Sequence, residues 1–347
     1  MKVKHSASQL LASDFQYVDK IIKNNYLSPG LLSNQLKKKL TKISKKKYVF
    51  LTNSGSSALF LCLETLKKKF PKKKKIIIPR YSCTAILNVI LESNLKPIFA
   101  ELEDDNLNIN FFSVKKLISN KILAILAVSI GGVTVDERIF GIKNIPVIND
   151  CCQGLGSKLN NKNYISFGDF TILSFGPTKI ISGGMGGAIL TNSKTNSISV
   201  GNLMNFEKDK SFYYRNGFMS AYNYNLSDLN AGLILSQLNR LNYIINKRKI
   251  IAKKYDKILT NNSFRILKEK KNESWNRYRY YCLDKKNFNL YKKLRKSGID
   301  ARIDLGHNLD AYFNRKKNSI KNILSIPIHH NFKKEQIERI KKIIDGF

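Results

Sequence analysis

Short runs of near-continuous apolar residues alternate along the chain with longer stretches in which apolar positions recur every three or four residues. Segments 76–79 (IIIP), 97–102 (PIFAEL), 122–130 (ILAILAVSI), 146–150 (PVIND) and 170–175 (FTILSF) show little polar alternation, the pattern of strands covered on both faces of a parallel sheet. Between several of them, 57–69 (SALFLCLETLKKK) and 84–94 (TAILNVILESN) have helical spacing. This alternation predicts an α/β fold with a mostly parallel central sheet flanked by helices. From Leu226 to Leu259 an amphipathic pattern places Leu229, Leu233, Leu238 and Leu241 at helical intervals behind Ser227 and Asp228. It predicts one long helix leading from the sheet domain into a C-terminal lobe. That lobe contains an aromatic strand at 277–283, a short apolar segment at 324–330 and a closing helix, a smaller α+β domain. The expected division is a large domain over 1–235 and a small one over 236–347.

No repeat or low-complexity linker interrupts this pattern, and 347 residues suffice for a sizeable core. No apolar run approaches the roughly 20 residues of a spanning helix, so membrane insertion is not expected. Near the N-terminus Ser8, Gln9, Ser13 and Asp14 break the apolar stretch, which speaks against a signal-peptide core and for a cytoplasmic protein. The five cysteines form no CxxC, and no His/Cys cluster has metal spacing. Neither a disulfide framework nor a zinc site is expected.

The formal charge of +36 raises the question of a polyanionic partner. The lysine runs at 37–39, 45–47 and 72–75 lack interleaved aromatics, and lysine is abundant together with asparagine and isoleucine. All three have A/T-rich codons, so the runs read as solvated faces rather than a nucleic-acid footprint. The surplus still draws small anions toward a cleft.

Three stretches carry candidate chemistry. In 51–63 (LTNSGSSALFLCL) a small polar turn opens into an apolar helix. Backbone N–H groups at Gly55 and Ser56 sit there at the positive end of a helix dipole, as an anion site or simply as an N-cap. In 146–156 (PVINDCCQGLG) Asp150 ends a buried strand and Gln153 follows three residues later. A carboxylate in that position either meets a cation or caps the next turn. In 169–192 Ser174 ends a strand, Lys179 follows five residues on, and Gly183, Gly184, Gly186 and Gly187 surround the next turn. A lysine fixed among such neighbours can form a Schiff base with a carbonyl. Taken in this order, the three stretches supply what pyridoxal 5'-phosphate (PLP) requires.

With these motifs the sequence resembles the DegT/StrS family of PLP-dependent sugar aminotransferases, within the fold-type I aspartate aminotransferase superfamily. The resemblance rests on TNSGSSAL, on 76–110 beginning IIIPRYSC, on NDCCQGLG, on the lysine segment 166–192, on AYNYNLSDLNAGLILSQLNRL and on SIPIHHNFKKEQIERI. It implies that Lys179 is the covalent anchor of PLP and shuttles a proton, and that Asp150 pairs with the ring nitrogen. Gln153 would bond the ring oxygen, while Ser174, Gly55 and Ser56 would hold the phosphate. Asn223 would reach the phosphate of a neighbouring subunit, which implies a homodimer with shared active sites. The implied reaction moves an amino group from an amino acid, glutamate above all, to a keto-sugar carried on a nucleotide, in synthesis of surface polysaccharide or a related glycan.

The chain departs from the family pattern at several positions. Cys83 stands where many members stack an aromatic residue on the cofactor ring, and Asn225, Ser129 and Gly176 replace the usual arginine, histidine and histidine. Arg80, Tyr81, Arg215 and His329 are candidates for substrate contact, His329 being a packing residue by preference. Two rival readings stand beside this one. A PLP-dependent sugar dehydratase is opposed by Lys179, which relatives of that kind replace with histidine. A non-catalytic basic protein of the same fold would bind nucleic acid or anions with steep salt dependence.

Overall fold

Seven strands build the central sheet: β1 (Tyr48–Thr52), β2 (Lys75–Pro79), β3 (Lys96–Ala100), β4 (Ile122–Val128), β5 (Val147–Asp150), β6 (Phe170–Ser174) and β7 (Gly187–Thr191), in the order β1-β7-β6-β5-β4-β2-β3. The computed structural model describes residues 3–6, 10–25, 27–204, 222–304, 306–309, 311–314 and 323–347. Strands β2 to β6 pair in parallel, and β7 runs antiparallel to both its neighbours, β1 and β6. All seven residues of β4 are buried. Its side chains alternate: Ile125 and Ala127 enter one core, Ala124, Leu126 and Val128 the other. This two-faced burial is the reason the strand reads as an unbroken apolar run.

Helices α1 (Ala12–Lys23), α2 (Leu31–Ser44), α3 (Gly55–Lys69), α4 (Thr84–Glu92), α5 (Phe111–Leu117), α6 (Lys194–Met204) and α7 (Asp228–Asn239) cover the sheet. Leu36 and Leu40 of α2 pack with Ile234 and Leu238 of α7 on one face. Leu59 of α3, Ile90 of α4 and Leu203 of α6 pack on the other.

The expected single helix over 226–259 is two helices, α7 and α8 (Leu241–Asn261). The break falls at Arg240, whose φ of −110° and ψ of 18° leave the helical range. Its guanidinium pairs with the buried Asp14 carboxylate of α1, Nη2 to Oδ2 at 2.7 Å. The end of helix α7 is thereby tied to α1.

Strands β8 (Tyr280–Leu283), β9 (Arg302–Ile303) and β10 (Ile323–Ile326) form a small antiparallel sheet in the order β8-β10-β9. With α8, α9 (Asn287–Lys296) and α10 (Lys334–Asp345) they enclose a third core around Tyr255, Leu290, Leu324 and Ile340. Val3 joins this core, its N–H donating to the Gly298 carbonyl at 3.0 Å. Among the described residues no helix is long and apolar enough to cross a membrane.

Candidate active site

The carboxyl ends of β4, β5 and β6 meet the amino end of α3 around a cavity of about 200 Å³, where open parallel sheets hold their ligands. Strand β5 ends on Asp150, which is 4% exposed, and Oδ1 accepts the Cys152 N–H at 2.9 Å. Burial pushes the carboxyl pKa up, with the Cys152 contacts and Lys179 pulling it partly back. An acid held this way lacks a full cationic partner, and an N–H⁺ entering the cavity would supply one.

Lys179 is half-buried in the loop between β6 and β7. That loop is pinned to α7. Gln237 brackets Ser182, Oε1 accepting its N–H at 3.1 Å and Nε2 donating to its carbonyl at 2.5 Å, while Asn230 Nδ2 donates to the Gly183 carbonyl at 2.6 Å. Lys179 Nζ lies 5.6 Å from the centre of the Tyr278 ring. Burial favours the neutral amine, but Tyr278, Cys152 and Asp150 outweigh it and hold the pKa above its ordinary value. The amine must shed a proton before it attacks a carbonyl.

At the start of α3, Ser54 caps the helix by accepting the Ser57 N–H on Oγ at 3.0 Å. The N–H groups of Gly55 and Ser56 lie in the first turn, ahead of any intrahelical acceptor and at the positive end of the dipole. A Cβ built on Gly55 would stand 2.9 Å from Ser174 Cβ and 3.0 Å from Cys152 Sγ. Glycine here lets the Ser174 hydroxyl and the helix start share one small space, an anion cradle. Gln153 completes the set: Oε1 accepts the Gly131 N–H, which leaves Nε2 as a donor.

Seven of the residues singled out in the sequence therefore line one cavity: Gly55, Ser56, Cys83, Asp150, Gln153, Ser174 and Lys179. The others lie elsewhere. Asn223 is exposed, its Oδ1 accepting from Asn225 Nδ2 at 3.4 Å. Arg80 is ion-paired with Glu101 at 2.6 Å. Tyr81, read from sequence as a substrate contact or ring cover, is corrected to a core side chain: it is 1% exposed, and its hydroxyl accepts the Gly306 N–H at 2.9 Å. His329 is 6% exposed against Phe332, with ring centres 4.5 Å apart, the packing position preferred for it. Arg215 lies outside the described residues.

Sequence reasoning missed Ser54, Cys152 and Tyr278. Ser54 and Cys152 stood inside recognised motifs as mere chain neighbours. Tyr278 had no sequence signal, because the fold alone brings the small-sheet segment to the lysine loop. Among the described residues no cluster of His, Cys, Asp and Glu is set to hold a metal.

An anion cradle, an acid kept for a cationic ring nitrogen and an amine for a carbonyl are the demands of PLP, and the residues present fit them. With the sheet topology they place the protein among PLP-dependent aminotransferases of fold type I. The DegT/DnrJ/EryC1/StrS aminotransferase family matches residues 9–345, and the chain belongs to that family. A Campylobacter jejuni relative, UDP-4-amino-4,6-dideoxy-N-acetyl-beta-L-altrosamine transaminase, is 27% identical, with 98% of this chain and 96% of the relative covered. Helicobacter pylori PseC, an aminotransferase involved in the biosynthesis of pseudoaminic acid, shares the fold at a TM-score of 0.91 and 24% identity, covering 100% of this chain and 99% of its own. A Streptococcus pneumoniae protein solved in its PLP form shares it at 0.88 and 19%, covering 100% and 99%.

Proposed function

We propose that the protein transfers an amino group from an amino-acid donor, glutamate by preference, to the ketone of a nucleotide-linked sugar in amino-sugar biosynthesis. The observation that carries this reading is the convergence of Lys179, Asp150, Gln153 and the Gly55–Ser174 cradle on one cavity. The name of the Campylobacter jejuni relative supports the sugar class.

PLP, when bound, supplies an electron sink that acidifies the carbon bearing the amine. The chain's residues do the rest. Gly55, Ser56 and Ser174 hold the phosphate, Asp150 keeps a proton on the ring nitrogen, and the Gln153 amide donates to the ring oxygen. Lys179 Nζ would anchor the cofactor and, once released, would move a proton between the substrate carbon and the cofactor carbon, in one direction for the amino-acid donor and in the reverse for the sugar. The lysine surplus steers a nucleotide diphosphate toward the cavity, an effect that weakens with salt.

We read the working unit as a homodimer in which Asn223 meets the partner's phosphate site, and the chain as a large domain over 1–235 and a small one over 236–347. The exposure of Asn223 and the separate small-sheet core support these readings. Five free cysteines and a nucleotide-linked substrate favour a cytoplasmic setting. The test is the visible absorption spectrum with PLP, before and after glutamate, beside Lys179→Ala. A band of lysine-bound cofactor that glutamate converts, and that the variant lacks, is expected; a normal band and full turnover in Lys179→Ala would refute the reading.

A further inference from the structure

Ser82 lines the cofactor cavity beside Cys83, Ala85 and Ile86, where the chain leaving β2 turns into α4. Its side chain is buried, 1% exposed, and among the described residues its Oγ has no hydrogen-bond partner. Buried hydroxyls in folded proteins are nearly always bonded, so an orphan on a cavity wall marks a place for a ligand atom. The backbone around it is tied on the far side: Tyr81 and Ser82 pair antiparallel with Asn308 and His307, and the Tyr81 hydroxyl accepts the Gly306 N–H at 2.9 Å.

The order of strands points to the ligand atom. Strands β6, β5, β4 and β2 are successive neighbours, spaced by about 4.8 Å. Ser174 ends β6 and Asp150 ends β5. The Gln153 amide reaches over β4, because Oε1 accepts the N–H of Gly131 in the turn that follows that strand. Ser82 is next in the row, just beyond β2. The polar atoms of PLP have a matching order, since its phosphate arm and its ring oxygen flank the axis through the ring nitrogen on opposite sides. With the phosphate at Ser174 and the nitrogen at Asp150, the oxygen faces Gln153 and, past it, Ser82.

We infer that Ser82 Oγ donates a hydrogen bond to the ring oxygen of PLP, as a second donor beside Gln153 Nε2, an inference that rests on the aminotransferase reading. The oxygen is phenolic and carries negative charge in the bound cofactor, and a charged oxygen accepts more than one strong hydrogen bond. Gln153 supplies one of them. The neighbours of Ser82 on the cavity wall offer no rival side-chain donor of like strength: Ala85, Ile86 and Val128 are apolar, and the Cys83 thiol donates weakly.

Titration of the PLP-free protein with PLP and with 3-deoxypyridoxal 5'-phosphate, which lacks the ring oxygen, tests the assignment on wild type and Ser82→Ala. The variant should bind PLP about tenfold more weakly, whereas the two proteins should bind the deoxy analogue alike. Melting curves without cofactor supply a second readout. Removing a hydroxyl that has no protein partner should leave the PLP-free variant at or above the wild-type melting temperature. Wild-type PLP affinity in Ser82→Ala, an equal weakening toward PLP and the analogue, or a lower melting temperature of the PLP-free variant would each overturn the inference. These results would defeat the role of Ser82 alone; a wild type that forms no lysine-bound band with PLP would defeat the aminotransferase reading and this inference with it.

Discussion

Gln153 Oε1 accepts the backbone N–H of Gly131 at 2.7 Å, and Gly131 holds a φ of 69° with no room for a side chain. A Cβ there would stand 2.6 Å from Tyr281 Cε2. The glycine thus fixes which end of the Gln153 amide faces the cavity. Gln153→Glu replaces a donor by a second acceptor, and PLP affinity should fall about tenfold or more; Gly131→Ala should weaken PLP too, by displacing the amide. Absorbance titration with PLP measures both, and an unchanged constant in Gln153→Glu would show that the side chain does not meet the cofactor.

Asp150 yields a prediction whose sign reverses with cofactor. Burial raises its pKa in the empty protein, so its contribution to stability is present at low pH and is lost as pH rises through the folded value. PLP-free Asp150→Asn should therefore melt about 2 °C or more above wild type at pH 8. With PLP bound, the ring N–H⁺ compensates the carboxylate and the order should invert, while turnover of the variant drops about a hundredfold. Scanning calorimetry with and without PLP decides; a variant less stable in both states would contradict the account.

Two buried histidines make the fold acid-sensitive. Burial and the neighbouring Arg279 depress the His5 pKa to about 3; burial, Arg248 and His330 take His329 to about 4. Both are neutral when folded but bind a proton near pH 6.5 when unfolded, so stability is lost as pH falls below that value. Each contributes a slope of up to about 1.4 kcal/mol per pH unit between pH 6 and pH 4. Urea titrations across that range should show a shallower slope for His5→Gln. An identical slope would mean that His5 gains its proton without unfolding.

Asp228 serves a helix other than its own. Helix α2 begins at Gly30, which has no side chain to cap it, and Asp228 of α7 accepts the N–H groups of Gly30 at 2.8 Å, Leu32 at 3.0 Å and Ser33 at 2.8 Å. Asp228→Ala strands those donors in a buried place and should cost about 2–4 kcal/mol, with Asp228→Asn recovering part of it. A loss in urea of under about 0.5 kcal/mol would show that water replaces the carboxylate.

Much of this was legible because parallel strands buried on both faces leave apolar runs such as 122–128, and because Asp150, Gln153 and Lys179 lie in short motifs at strand ends. The α7–α8 break was not, since leucine spacing continues through Arg240 and the pairing with Asp14 that fixes the break spans most of the chain. Tyr81 misled for a related reason: a tyrosine beside a cleft-lining motif looks accessible until the fold buries its ring. The contact of His5 with Arg279 was hidden entirely, because it joins the first residues of the chain to the segment that leads into β8.

The position of β7 has a consequence for how the chain is made. Among the described residues β1 finds its sheet partner in β7, with Tyr48 opposite Thr191. During synthesis the first strand must wait, unpaired, until the last has left the ribosome, while β2 to β6 join side by side as they emerge. The glycines and lysine of the β6–β7 loop are translated just before β7, so the segment proposed to hold PLP and the strand that closes the sheet reach the folding chain together.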